Sequence, residues 1–462
     1  MYPPFPLPSP QYSPQKPPRA AYISLPPRLC VSALKNPSPP PFSPYSKIPA
    51  PFRAIFLHKS LTKRYMVKDM INRDYLIIGA GLAGACACEG IREHDKKGSI
   101  LLVGRELFPP YHRPQLSKKF LRNGSLSVED LMHTQTPWYA RNHVEMRLGT
   151  VVREFNIERR LAVLQDGQVI EFRKALLATG SRPRRPEVAG ALLGNVFYLN
   201  SARDALAIRE VAAIEKNVVV IGGGLIALEV AAALTEAKCK VILMGRQQCL
   251  WRDRLDPETS QWLTDYFEKH GVKLMLGQDL NGFEGKTVLK NVQTKRGDRF
   301  PAQMALVAVG ADPNLELVHN TPLSSPNGTP VNELLETDEK GIFAAGDIAL
   351  FPDRIFGGVQ RVQHWENARV QGHIAGQNMT GKKRVRFEAM PFFWSLMFDL
   401  HFDFIGDFSL PAGRMEVEGD RDRKKFIIRC FRGSKLFARI HCNQDEAHRE
   451  EAKAEILESQ RG

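Results

Sequence analysis

The first uninterrupted apolar run of the chain's main body is Tyr75-Leu76-Ile77-Ile78, which reads as a buried parallel strand. Gly79-Ala80-Gly81-Leu82-Ala83-Gly84 follows it, and a helical run then extends from Ala85 to Ile91. A second apolar run, Ile100 to Val103, completes a strand–helix–strand unit. The same pattern returns about 140 positions later, which is an internal repeat of one supersecondary unit. There Val218 to Ile221 is the strand, and Gly222-Gly223-Gly224-Leu225-Ile226-Ala227 is the turn. Leu228 to Leu234 continues as a helix and Lys240 to Met244 is the next strand.

Other elements fall around these two units. Ala175 to Pro183 reads as a short strand ending in a small-residue turn that includes Ala178, Thr179 and Gly180. Met304 to Val309 is a strand with Gly310 at its end. A small apolar strand ends at Gly346-Asp347, which places a carboxylate at the mouth of a sheet. Val362 to Ala368 leads into a helix reaching Met379. Residues 385–462 form a smaller α+β piece, with strands near His401–Gly406, Lys425–Phe431 and Lys435–His441 and a closing charged helix, Glu446 to Ser459.

The glycines carry the first chemical signal. In a turn between a strand and a helix, the first glycine allows a tight turn and the second lets the backbone approach a pyrophosphate. The third lets helix and strand pack closely, and the phosphates meet unpaired N–H groups at the positive end of the helix. Gly79, Gly81 and Gly84 fit these roles, as do Gly222, Gly224 and Ala227, since alanine is allowed in the last place. Two such turns imply two dinucleotides. An acid after the second strand, Glu106, suits a ribose 2′-hydroxyl. At the matching place in the second unit Gly245-Arg246 stands instead, and an arginine fork suits a 2′-phosphate, so the reductant leans to NADPH over NADH.

Composition narrows the class. With 462 residues, 43% hydrophobic and 25% charged, the chain suits a multidomain soluble enzyme. Of the net charge of +14, +9 lies in residues 1–70, which hold ten Lys or Arg and one acid. The rest is only mildly basic and gives no case for nucleic-acid binding. Seven cysteines show no CxxC and no His/Cys metal spacing, so no metal ligand is assigned and a reduced, cytoplasmic protein is expected. No run is long enough for a membrane helix. Residues 1–69, rich in Pro and Ser and almost free of acid, are expected to be a disordered extension. A tail, a transit-like leader and a start codon chosen upstream of Met66 or Met70 all give this composition, and the last is preferred.

Read together and in order, the motifs GAGLAG (79–84), PYHRPQLSK (110–118), LLATGSRPR (176–184), VIGGGLIALE (220–229), GIFAAGD (341–347), HWENA (364–368) and PFFWS (391–395) resemble the FAD-dependent pyridine nucleotide oxidoreductases. Within these they resemble the ferredoxin reductase and apoptosis-inducing-factor-like branch. The resemblance implies an α/β fold with two Rossmann-like dinucleotide-binding domains and a small C-terminal α+β domain. Residues 70–200 and 326–384 would bind FAD, 201–325 would bind NAD(P)H, and 385–462 would form an interface or dimerisation domain, in a monomer or homodimer. It further implies that Arg113 approaches the FAD pyrophosphate, that Val152 bonds the adenine through its backbone, and that Thr179 and Gly180 line the cofactor. Asp347 would bind the ribityl or phosphate portion, and Trp365 would lie near the flavin ring and nicotinamide. Lys118 and Glu229 match a lysine–glutamate pair beside the flavin, where the lysine would stabilise negative charge near N5.

Three departures stand out. Arg105 occupies the usual place of the acidic ribose ligand, so Glu106 would act from the next position. PFFWS is followed by Leu396, where an acid is frequent, and Gly245-Arg246 replaces the acid that selects NAD. The implied activity passes electrons from NAD(P)H through flavin to an external acceptor, a [2Fe–2S] ferredoxin or a rubredoxin. No CxxC or CxxxxC follows the first glycine turn, which argues against an internal dithiol relay. The alternatives are an NAD(P)H oxidase or quinone reductase, and a slowly turning redox sensor.

Overall fold

The computed structural model describes residues 70–122, 124–409 and 412–461. The readings made for residues 1–69 lie outside these.

The strand Ile71–Ile78 lies at the centre of the first sheet, with Tyr75 to Ile78 wholly buried. Parallel neighbours flank it: Ile100–Val103 on one side, with Tyr75 opposite Ile100, and Val169–Leu177 on the other, with Ile78 opposite Leu177. Beyond Ile100–Val103 the sheet adds Val144–Arg147. Strands covered on both faces cannot alternate polar with apolar, which explains the unbroken apolar runs. Val169–Leu177 serves two structures at once. Its first residues pair antiparallel with Leu161–Leu164, which in turn pairs with Val152–Asn156. Its last three pair parallel with Ile342–Ala344, so a segment far along the chain returns to this sheet.

A second sheet is wholly parallel and runs in the order Lys273–Leu276, Lys240–Gly245, Asn217–Ile221, Met304–Val307, Val196–Phe197. The strand expected over Met304–Val309 therefore ends two residues early, and Val196–Phe197 joins this sheet ahead of the second glycine turn. Ser181–Pro183 pairs antiparallel with Ala311–Pro313, where the chain leaves the first sheet region and comes back to it. The C-terminal sheet is antiparallel, in the order Phe392–Met397, Leu400–Gly406, Lys435–Cys442, Lys425–Arg432, Arg414–Asp420, with the helix Glu446–Arg461 packed on it. Its last strand is a charged edge of alternating exposure, a pattern that hides it from a search for apolar runs. Among the described residues no helix is long and apolar enough to cross a membrane.

Two helices set the spacing of everything near the first glycine turn. Leu82–His94 leaves that turn, and Trp365–Thr380 lies across it. A Cβ on Gly372 would stand 2.2 Å from the Ala83 carbonyl oxygen, and one on Gly376 would stand 2.2 Å from that of Ala87. Gly90 stands in the same relation to His373, also at 2.2 Å. The two backbones touch where side chains are missing. Gly376→Ala would gain up to about 1 kcal/mol of helix propensity, but its methyl group has no space. We expect a net loss of about 1–3 kcal/mol, read as a lower denaturant midpoint at unchanged slope.

Candidate functional site

Gly79 turns the chain at a φ of +124°, and a Cβ there would meet the Ala178 carbonyl oxygen at 2.0 Å. Gly84 is equally constrained, by the Gly79 carbonyl oxygen at 2.0 Å. Gly81 differs, because nothing lies within 4 Å of where its Cβ would be. It also caps Leu82–His94 without any side-chain hydrogen bond, so the first N–H groups of the helix face open space. Two glycines are tight and the middle one is open, which is the arrangement a pyrophosphate needs. The second turn repeats it. Gly222 has φ +139° and would collide with the Ala308 carbonyl oxygen at 2.2 Å, whereas Gly224 is open. Ala227 is fully buried, 3.3 Å from the Gly222 Cβ position.

Around the first turn the segments converge. The backbone N–H of Ala178 donates to the Ile78 carbonyl at 2.8 Å. Thr179 donates through Oγ1 to the Asn314 carbonyl at 2.9 Å and accepts from Asn314 Nδ2 at 2.8 Å, and Gly180 accepts from the Asn314 N–H. Gly346 rests on Ala83, and its N–H donates to Gln371 Oε1 at 2.9 Å. Asp347 accepts from Ser181 Oγ at 2.6 Å. Burial raises its carboxyl pKa, while the Ser181 hydrogen bond and the Arg113 and Arg361 charges oppose the rise. Arg113 pairs with Glu106 and donates to the Asn200 carbonyl at 2.5 Å. Glu106 also accepts from the Tyr111 hydroxyl at 2.5 Å, so its carboxylate is held within its own loop. Val152 begins its strand two residues after Thr150, whose N–H donates to the Gly104 carbonyl at 2.8 Å. Val152 is buried in the same apolar cluster as Leu101 and Val103. Gly310, at φ +110°, lies under the Arg184 guanidinium. Arg246 points outward with its side chain 86% exposed, 3.9 Å from Asp279.

Lys118 and Glu229 meet deep in the protein, at 2.8 Å, with side chains only 5% and 3% exposed. The chain supplies further donors that reading the sequence did not assign. Ser117 Oγ donates to Glu229 Oε2 at 2.5 Å and Ser395 Oγ donates to Oε1 at 2.7 Å. Lys118 also donates to the Pro114 carbonyl at 3.2 Å. An ion pair this buried persists only with its lone pairs satisfied, and here they are. Both serines stand inside recognised motifs, PQLSK and PFFWS. Their position was visible, and their partner was not. Aromatic rings run on from the pair: Lys118 Nζ lies 6.0 Å from the Trp394 ring centre, Trp394 packs edge-on to Trp365 at 5.5 Å, and Trp365 meets His112 at 5.4 Å. Trp365 Nε1 is buried without a protein partner, and so is Gln363 Nε2. Burial lowers the pKa of His112 to about 4 and that of His364 to about 3, so both imidazoles are neutral at pH 7.

The sequence profile of the pyridine nucleotide-disulphide oxidoreductases spans residues 73–372. The chain belongs to this family. Putidaredoxin reductase of Pseudomonas putida is 32% identical to it, over 79% of this chain and 88% of that protein. Apoptosis-inducing factor 3 of Homo sapiens is 30% identical, over 80% of this chain and 61% of that protein. Among solved structures, a covalent putidaredoxin reductase–putidaredoxin complex superposes with a TM-score of 0.78 at 30% identity, covering 84% of this chain and 94% of that one. The protein is thus an FAD-dependent NAD(P)H oxidoreductase of the ferredoxin reductase and apoptosis-inducing-factor-like branch, and its α/β architecture is that of these reductases.

The observed cradle fits the family's flavin cofactor. There is space over Gly81, two tight glycines flank it, and unpaired donors on Gln363 and Trp365 lie at the base of Trp365–Thr380. Glu229→Ala would leave the ammonium of Lys118 buried and opposed only by neutral groups. We expect a loss of about 3–5 kcal/mol, with a smaller loss in the apolar double variant Lys118→Met/Glu229→Leu. Urea titrations of the holoprotein would rank the two.

Proposed function

We propose that this oxidoreductase draws a hydride from NAD(P)H and passes the electrons to a small iron–sulfur protein, a [2Fe–2S] ferredoxin or a rubredoxin. The observation that carries the reading is the buried Lys118–Glu229 pair with its two serine donors, set against the Trp394–Trp365 rings. FAD, when bound, supplies the ring that accepts a hydride and releases single electrons. The residues around it position and charge that ring. Lys118 holds a positive charge in a low-dielectric site, where it favours negative charge on a neighbouring group. Glu229 pairs with that lysine at 2.8 Å and aims it.

On this reading residues 70–200 and 326–384 form the FAD-binding domain, 201–325 the NAD(P)H-binding domain and 385–462 the interface domain. Gly79, Gly81 and Gly84 hold the FAD pyrophosphate with Arg113 nearby. Glu106 and Val152 take the adenosine end, Ala178, Thr179 and Gly180 line the cofactor, and Gly346 and Asp347 meet its ribityl chain. Trp365 stands by the ring. Gly222, Gly224, Ala227 and Gly310 receive the nicotinamide nucleotide, and Arg246, exposed and next to a single acid, is free to reach a 2′-phosphate. The two turns support these assignments by their matching pattern of tight and open glycines. Every described cysteine is a free thiol, which supports a reducing, cytoplasmic location. The lack of a CxxC or CxxxxC after the first glycine turn favours an external acceptor.

Anaerobic stopped-flow mixing tests this directly. Rapid bleaching of the flavin band by NADPH or NADH, then rapid recovery on adding a [2Fe–2S] ferredoxin, is expected. Slow bleaching with a lasting long-wavelength charge-transfer band, unmoved by ferredoxin, would point to the redox-sensor reading. Arg246→Ala is expected to raise KM for NADPH by about tenfold or more, the worth of one charge-assisted hydrogen bond, with little change for NADH. An equal rise for both nucleotides would remove the case for phosphate recognition.

A further inference from the structure

The helix Leu82–His94 presents Cys86 and Glu89 three residues apart, on one face. The segment between the turn at Leu131 and the helix Thr136–Arg141 brings His133 to that face. His133 Nε2 stands 3.6 Å from Cys86 Sγ and 3.3 Å from Glu89 Oε1. All three donor atoms lie within 4.8 Å of one another. A tetrahedral zinc ion, with bonds of about 2.3 Å to sulfur and about 2.0–2.1 Å to nitrogen or oxygen, sets its ligand atoms about 3.3–3.6 Å apart. The two separations at His133 match those edges.

We propose that Cys86, Glu89 and His133 form a zinc site. The donor set is one thiolate, one imidazole and one carboxylate, a mixture of borderline softness that suits Zn²⁺ better than Mg²⁺ or Ca²⁺. Two anionic ligands balance the charge of the ion. Cys86 is buried, whereas the side chains of Glu89 and His133 are 30% and 14% exposed, so the site opens on one side. That opening provides an entry path and a fourth position for water. Thr134 Oγ1 donates to Glu89 Oε1 at 3.0 Å and orients it. The nearby cation, Arg369, is engaged by Glu366 at 2.6 and 2.9 Å. His133 packs edge-on against His112, with ring centres 5.3 Å apart. The ion would tie the first glycine-turn helix to the segment before Thr136–Arg141, next to His112, which also meets Trp365. None of its three ligands belongs to the Lys118–Glu229 centre or to either glycine turn. The reading of the sequence found no metal spacing because a Cys-x-x-Glu pair on a helix and a distant histidine leave no recognisable pattern.

The test uses the full-length holoprotein, stripped with chelator and titrated with zinc chloride in a calorimeter. One site per chain is expected, with a higher Tm in the presence of zinc, reversed by chelator. Cobalt in place of zinc should add ligand-field absorption beyond the flavin bands. Cys86→Ser and His133→Ala should each weaken zinc binding by about tenfold or more while the flavin spectrum is kept, and Glu89→Gln, at the more exposed ligand, serves if either fails to fold. No zinc uptake, or uptake unchanged in the variants, would overturn the assignment.

Discussion

Everything near the flavin cradle depends on two helices touching through their backbones. Gly90, Gly372 and Gly376 remove the side chains that would hold Leu82–His94 and Trp365–Thr380 apart. Each glycine in a helix interior costs about 1 kcal/mol relative to alanine, so the sequence accepts a weaker pair of helices to bring them together. The return is positional. The open glycine stands at the head of one helix and Trp365 at the head of the other, and Gly346 lies against Ala83 of the first and Ala368 of the second. A spacing set by backbone contact leaves almost no play, whereas one set by long side chains would.

Charge is handled with similar economy. Deep in the site stands the Lys118–Glu229 ion pair, whose carboxylate accepts from three donors on two other segments. His112 and His364 stay neutral because burial denies them a proton. The lysine charge is therefore met by one carboxylate at 2.8 Å, and neither imidazole adds to it.

Much of this architecture is legible in the amino-acid sequence. The parallel strands announce themselves as unbroken apolar runs, and each glycine turn carries its own local mechanics, so both strand–helix–strand units and the order of the motifs can be read. Lys118 and Glu229, far apart in sequence, are paired by resemblance, and the structure places them in contact. Other features depend on neighbours that only folding supplies. Ser117 and Ser395 sit in recognisable motifs, yet nothing local says that they share Glu229. Arg414–Asp420 has the polarity of a loop and becomes a strand because Lys425–Arg432 offers it an edge. Glu106, expected at a ribose, is held by Arg113 and Tyr111, partners whose reach depends on how the following loop folds.

Glu229 rides on the helix that leaves the second glycine turn, Ser117 and Lys118 lie in the connection between two strands of the first sheet, and Ser395 belongs to the C-terminal sheet. The pair is consequently a rivet through three parts of the molecule. Moving any one of the three alone would break the ion pair or one of the serine hydrogen bonds that satisfy it. The relative placement of these three parts is therefore fixed by charge and hydrogen bonding at their common junction, and not by the length of the chain that connects them.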